Sequence, residues 1–329
     1  MALLGRLEGK VALITGGASG IGAQTARLFH RHGAKVIIAD IQDELGNSIS
    51  KELSPTDTSF IHCDVQDDAH VRNAVDSAIT RFGKLDIMFN NAGTVEPLKP
   101  NILDNDKADF KRVLSINVMG AFLGTKHAAR VMDPARHGSM IITVSTSSVS
   151  GGATPHAYTC SKHAVVGLMK NAAVELGRFG IRVNCVSPYL VATPLVKNFY
   201  EAEDEPNLYS NLKGVVLKAE DIAEAVLFLG SDEYVRGHNL IVDGGFTITN
   251  LRSRCIHSQT KAELLTSSTV PIKMALPSPM KVIAADGVSV CESCRRWNGN
   301  PRLPPLRIQG KIPDFNCSRN SKISDADVR

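Results

Sequence analysis

With 329 residues, 43% of them hydrophobic, the chain can bury one large core and is longer than a single ordinary domain, so one domain with an appendage is expected. The net charge of +4 hides an asymmetry: from Leu251 onward 13 Lys+Arg stand against 6 Asp+Glu, a net +7, which leaves 24 against 27, a net −3, for residues 1–250. The longest apolar runs have strand length, which excludes a helical membrane span, and MALLGRLEGK lacks the apolar run and small-residue cleavage site of a secretory leader, so a cytoplasmic protein is expected.

Through residue 250, short β-branched runs alternate with longer segments of helical period, the pattern of βαβ units. Strands are predicted at 11–15, 36–39, 59–63, 85–89, 140–145, 182–186 and 240–242, and helices at 20–32, 43–53, 67–82, 106–132, 156–179 and 219–229. The expected fold is α/β: one Rossmann-type, doubly wound, parallel seven-stranded sheet with helices on both faces, occupying residues 1–250. Right-handed crossovers then align the C-terminal ends of the strands along one edge, where such sheets bind ligands. Beyond Asn250 lie 7 of the 15 prolines and no persistent hydrophobic period, so residues 251–329 are expected to be a basic tail with little fixed structure. Of seven cysteines, Cys63, Cys160 and Cys185 precede the tail without regular spacing and read as reduced thiols.

Directly after the first strand comes Thr15-Gly16-Gly17-Ala18-Ser19-Gly20-Ile21-Gly22 and then a helix. Such glycines let the backbone turn tightly and approach a pyrophosphate held at the helix N-terminus, although the same pattern can be a plain strand–helix turn. Asp40 ends the second strand, where a carboxylate accepts both ribose hydroxyls and repels a 2′-phosphate, and neither Gly17 nor Ile41 is basic. NAD is therefore favoured over NADP; the alternative for Asp40 is a cap for the helix beginning near Asp43. Asp64, with Val65 after it, closes the third strand and can either bond an adenine amino group or cap the next helix. Asn90-Asn91-Ala92-Gly93 follows the fourth strand, as a turn or as amides that tie neighbouring strands together beside the adenosine.

Tyr158 and Lys162 lie one turn apart on a single helix face. A nearby ammonium favours phenolate and lowers the phenol pKa from about 10 toward working pH, so Tyr158 can take an alcohol proton as hydride leaves. Ser145, thirteen positions earlier and expected at the end of the fifth strand, reaches the same pocket to polarise a substrate oxygen. Asn117, a poor helix former among apolar neighbours, can hold a water or a kinked turn beside Lys162. Alone, each residue fits a structural role as well; their joint order after a dinucleotide turn makes coincidence a poor account.

The set Thr15-Gly16-x-x-x-Gly20-x-Gly22, Asn90-Asn91-Ala92-Gly93, Asn117, Ser145 and Tyr158-x-x-x-Lys162 resembles the short-chain dehydrogenase/reductase family over residues 7–249, which implies cofactor contacts along the Gly16, Ser19, Gly20, Ile21 and Gly22 turn and at Asn91, Ala92 and Gly93. The resemblance implies a Ser145, Tyr158, Lys162 and Asn117 tetrad, with Lys162 also bonding the nicotinamide ribose. It implies further cofactor contacts from Val191 and Thr193 in the loop after the sixth strand. Segments such as Lys126-His127-Ala128-Ala129-Arg130-Val131-Met132 and Asn211-Leu212-Lys213-Gly214 resemble plant enzymes of the secoisolariciresinol and borneol dehydrogenase type. This likeness implies a hydrophobic secondary alcohol of lignan or terpenoid type as substrate and a homotetramer.

Four departures stand out. Tyr189 occupies a place where most members have Gly, either crowding the cofactor or adding a stacking surface. Residues 194–218 are expected to form a lid several residues short, whose Glu201, Glu203, Asp204 and Glu205 read as a solvated acidic loop; Arg236 stands where Ser or Thr is expected; and the tail is foreign to the family. Cys291-x-x-Cys294 has no second ligand pair, so no metal is expected, and the scattered basic charge, without an aromatic platform, predicts no nucleic-acid partner. The weighed alternatives are an NADPH-linked carbonyl reductase and an impaired binding or scaffold homologue.

Overall fold

The computed structural model describes residues 5–99, 101–152, 154–196, 211–212 and 214–248. Seven strands, β1 (Val11–Thr15), β2 (Lys35–Asp40), β3 (Thr58–His62), β4 (Ile87–Asn90), β5 (Gly138–Thr143), β6 (Ile181–Pro188) and β7 (Asn239–Val242), form one sheet. Its order is β3-β2-β1-β4-β5-β6-β7 and every neighbouring pair is parallel. The chain reverses direction of build between β1 and β4, and that switch point opens a crevice at the C-terminal strand edge. Among the described residues, seven α-helices join the strands: α1 (Gly20–Arg31), α2 (Asp43–Leu53), α3 (Asp68–Phe82), α4 (Lys107–Leu114), α5 (Gly120–Ala135), α6 (His156–Gly177) and α7 (Ala219–Ser231).

The central strands β1, β2, β4 and β5 are largely apolar and buried because both sheet faces are covered there, and the two-residue period sorts their side chains between two cores. Leu13, Ile37, Met88, Met140 and Ile142 pack with Val75 of α3, Met132 of α5 and Met169 of α6. Ala12, Ile14, Ile38, Phe89 and Ile141 pack on the other face with Phe29 of α1 and Val226 of α7. Burying each larger aliphatic side chain contributes about 1.5–3 kcal/mol, which is what holds the site-bearing edge in place.

Three predicted elements differ. The helix expected over 106–132 is α4 and α5 separated by a π turn, Ser115–Met119, where the Gly120 amide reaches back to the Ser115 carbonyl. The side chain of Asn117, at the centre of that turn, is bound to a neighbouring loop, and this inserts the extra residue. The strand expected over 85–89 starts at Ile87, because the Asp86 carboxylate takes the Val11 amide at 2.8 Å and Lys84 pairs with it at 3.0 Å. The strand expected over 140–145 ends at Thr143, so Ser145 lies past the strand, heading a short 3-10 turn, Thr146–Ser148, whose Ser147 amide it binds. None of the described helices is long and apolar enough to cross a membrane. The tail with Cys291 and Cys294 lies outside the described residues, as does most of the acidic lid.

Candidate active site

The turn after β1 can be made only with glycine at its tightest points. Gly16 has φ +63°, and a Cβ there would stand 2.8 Å from Ala92 Cα. At Gly22 a Cβ would stand 2.1 Å from the Gly16 carbonyl oxygen. Ser19 heads α1 without a side-chain cap, and the first turn carries no acidic residue. Its amides are left for an anion, which the positive end of the helix favours.

Asp40 is buried at the end of β2, 5% exposed. Its Oδ2 accepts the Ala18 amide at 2.9 Å, and its Oδ1 accepts the Gln42 amide at 3.1 Å and Gln42 Nε2 at 3.2 Å. The carboxylate thus spans the glycine turn and the approach to α2, whose own N-cap is Gln42. Capping is also not the role of Asp64: α3 is capped by Asp67, which accepts the Ala69 and His70 amides. Asp64 instead accepts the Gln66 amide at 2.9 Å and faces the crevice.

Asn91 ties three strands together. Its Nδ2 donates to the carbonyls of Thr15 (3.2 Å) and Gly16 (3.1 Å), and its Oδ1 accepts from Thr143 Oγ1 at 3.0 Å. Thr15 Oγ1 accepts the amides of Asn91 and Ala92. Beyond them, Gly93 leaves room for two polar groups: a Cβ there would lie 3.3 Å from Asn117 Oδ1 and 3.7 Å from Lys162 Nζ.

Lys162, on α6, is 4% exposed. Its Nζ donates to the Thr143 carbonyl at 3.0 Å and sits 5.3 Å from the centroid of the Tyr158 ring. Burial pushes the ammonium down to about 8, Cys185 opposing the shift slightly, while burial pushes the Cys185 thiol up to about 12. Ser145 Oγ accepts the Ser147 amide and meets Ser147 Oγ, both at 3.1 Å. The hydroxyl chain continues through Thr154 Oγ1, 2.9 Å from Ser147 Oγ, to Thr159 Oγ1 at 2.8 Å. Asn117 Oδ1 accepts the Thr94 amide at 2.8 Å, and its Nδ2 donates to the Thr94 carbonyl and Ser161 Oγ.

One cavity of ≈ 610 Å³ gathers these groups. Gly16, Ser19, Gly20, Ile21, Asp40, Asp64, Val65, Asn91, Ala92 and Gly93 line it, with Ser145, Tyr158, Lys162, Val191 and Thr193. Gly22 and Asn117 do not; they lie behind it as packing and positioning residues. Thr193 crosses above the glycine turn, 3.2 Å from where a Gly20 Cβ would be. Tyr189 packs against Phe246 with ring centroids 4.5 Å apart and planes tilted by 41°, and both rings line the cavity. Arg236 lies over Gly177, where a Cβ would meet its guanidinium.

A family model described as enoyl-(acyl carrier protein) reductase matches residues 16–247. Secoisolariciresinol dehydrogenase of Forsythia intermedia is 57% identical over 257 residues, 76% of this chain and 93% of the relative. A mitochondrial borneol dehydrogenase of Lavandula x intermedia is 58% identical over 252 residues, 75% of this chain and 94% of the relative. The chain belongs to the short-chain dehydrogenase/reductase family. Among solved structures, a 3-ketoacyl-(acyl-carrier-protein) reductase from Brucella melitensis complexed with NADH is similar, with a TM-score of 0.68 and 32% identity over 73% of this chain and 99% of that one. This short-chain dehydrogenase/reductase sits with the plant secoisolariciresinol and borneol dehydrogenase group, is an alcohol oxidoreductase, and takes a nicotinamide cofactor.

The residues present fit that cofactor. The glycine cradle and the uncapped start of α1 suit a pyrophosphate, and Asp40 and Asp64 face the cavity where an adenosine would lie. Sequence reasoning missed Ser147, Thr154 and Phe246 in the lining, and Glu96 behind it. One signal for Glu96 was available: the long helix α6 opens on Pro155-His156 without a capping side chain, so its amides needed an acceptor from elsewhere.

Proposed function

We propose that this enzyme uses NAD to oxidise a secondary alcohol on a hydrophobic specialised metabolite of lignan or terpenoid type to the ketone, or onward to a lactone. The observation that carries the reading is the buried Lys162 ammonium beside the Tyr158 ring, in a cavity whose far end holds the Asp40 carboxylate.

Tyr158 is the general base and takes the hydroxyl proton of the substrate. The Lys162 ammonium stands beside the phenol, favours its phenolate form by charge, and holds that charge below pH about 8. Ser145 donates its hydroxyl hydrogen to the substrate oxygen and stabilises the charge that develops there. Asn117 keeps the π turn and the 94–96 loop fixed against α6. A bound nicotinamide supplies the hydride acceptor. Asp40 selects the coenzyme: a carboxylate there accepts ribose hydroxyls and opposes a 2′-phosphate, a like-charge contact costing several kcal/mol. The apolar side of the cavity, with Val95, Leu195, Tyr189 and Phe246, supports a hydrophobic substrate.

The reading extends to a cytoplasmic homotetramer. The free thiols of Cys63, Cys160 and Cys185 support a reducing compartment. Exposed Phe110, Met119, Phe122 and Val174 on one set of helices support self-association. Following NADH formation by the purified chain over a panel of secondary alcohols tests the assignment. The expected result is turnover of bulky apolar alcohols with NAD favoured over NADP by about 100-fold; equal turnover with both coenzymes would overturn it.

A further inference from the structure

The carboxylate of Glu96 lies behind the cavity wall, 2% exposed, in the loop between β4 and α4. Its Oε1 accepts the amides of Ala157 at 2.6 Å and Tyr158 at 3.2 Å, and its Oε2 accepts the Tyr158 amide at 3.1 Å. A buried carboxylate normally needs a cation, yet no ion pair among the described residues includes Glu96. Its compensation is the N-terminus of α6, where amides without intrahelical partners and the positive end of the helix dipole converge. Pro155, the residue at the cap position, supplies no side-chain acceptor.

We infer that Glu96 is a positioning residue for the alcohol-oxidising site, fixing the first turn of α6 so that Tyr158 is held at a set distance from Ser145 and Lys162; this rests on the function proposed above. Two residues before Glu96, Thr94 is clamped by both arms of the Asn117 amide. The short segment 94–96 therefore joins the π turn to the start of the catalytic helix, while Thr94 and Val95 themselves line the cavity. Tyr158 is two residues into α6, and its own amide is one of those bound by Glu96, so loosening that turn displaces the phenol directly. Lys162 lies one turn further on and has its own anchor at the Thr143 carbonyl, so it stays in place.

The test compares wild type with Glu96→Ala and Glu96→Gln by hydrogen exchange and steady-state kinetics. In Glu96→Ala the amides of residues 157–158 exchange at least about 10-fold faster while later turns of α6 keep their protection. A displacement of about 1 Å at a reacting group costs on the order of 100-fold, so kcat falls by about 30- to 100-fold, with KM and the NADH dissociation constant within about 2-fold. Glutamine retains the Oε1 acceptor, and Glu96→Gln recovers kcat to within about 5-fold of wild type. Should Glu96→Ala not fold, Glu96→Gln carries the test, with exchange at 157–158 about 3-fold faster and kcat reduced by a similar factor. Unchanged exchange at 157–158, or a loss confined to KM and NADH affinity, would overturn the inference. So would a Glu96→Gln variant as impaired as Glu96→Ala. A wild-type chain without alcohol turnover whose 157–158 amides still open in Glu96→Ala would refute the proposed reaction and leave the positioning role standing.

Discussion

Replacing Lys162 by Met should make the protein more stable and nearly inactive. Burial holds the Lys162 ammonium at about 8, against 10.5 for a solvated lysine. At 1.36 kcal/mol per pKa unit, keeping it charged near neutral pH costs the fold about 3 kcal/mol. Met removes that cost and keeps an unbranched side chain, but it leaves the Thr143 carbonyl without its 3.0 Å donor, a loss of about 1–2 kcal/mol. The net gain is about 1–2 kcal/mol, a rise of about 2–6 °C in Tm for a domain of this size. Between about pH 8 and 10.5 the unfolded wild-type chain holds more protons than the folded one, so wild-type stability rises with pH through that window. The advantage of Lys162→Met therefore shrinks as pH climbs from about 7 to about 10, and thermal unfolding of both proteins at each pH measures it. A variant less stable than wild type at neutral pH, or a gap that does not change with pH, would refute the burial argument. Turnover should fall by more than about 100-fold, since the base loses its activating charge.

Asp40→Ser should move the ratio of kcat/KM for NADP over NAD upward by about 100-fold, as the like charge disappears; an unchanged ratio would show that selectivity is set elsewhere. The same variant leaves the Ala18 amide short of its 2.9 Å acceptor, and urea unfolding should register a loss of about 1–3 kcal/mol. Tyr189→Gly removes the ring that packs against Phe246. The KM for bulky apolar alcohols should rise by about 10-fold while that for small alcohols stays level, and a uniform rise in both would assign Tyr189 to cofactor contact instead.

The fold and most of the cavity lining were legible because their signals are local. Leu13 and Ile14 had to alternate faces of a sheet covered on both sides, and Gly16 and Gly22 had to be glycines for the turn to close. Asp40, Ser145, Tyr158 and Lys162 follow strands or share a helix face, so chain order alone brought them to one edge. What escaped depended on contacts between distant segments. The break of the helix at Ser115–Met119 reflects the grip of Asn117 on Thr94, which helical periodicity does not register. Glu96 stands beside Pro97 in a loop and reads as solvated until the unfinished start of α6, 61 residues away, is brought against it. The alternatives for Asp64 could be separated only when Asp67 was found to cap α3.

The most direct test of the central claim is a comparison of wild type and Tyr158→Phe in the NAD-linked oxidation of a secondary alcohol, with NADH binding measured on the same samples. Tyr158→Phe should bind NADH within about 2-fold of wild type, because the ring and its backbone contacts to Glu96 remain, and should lose turnover by more than about 100-fold as the general base is gone. Substantial turnover by Tyr158→Phe would contradict the mechanism.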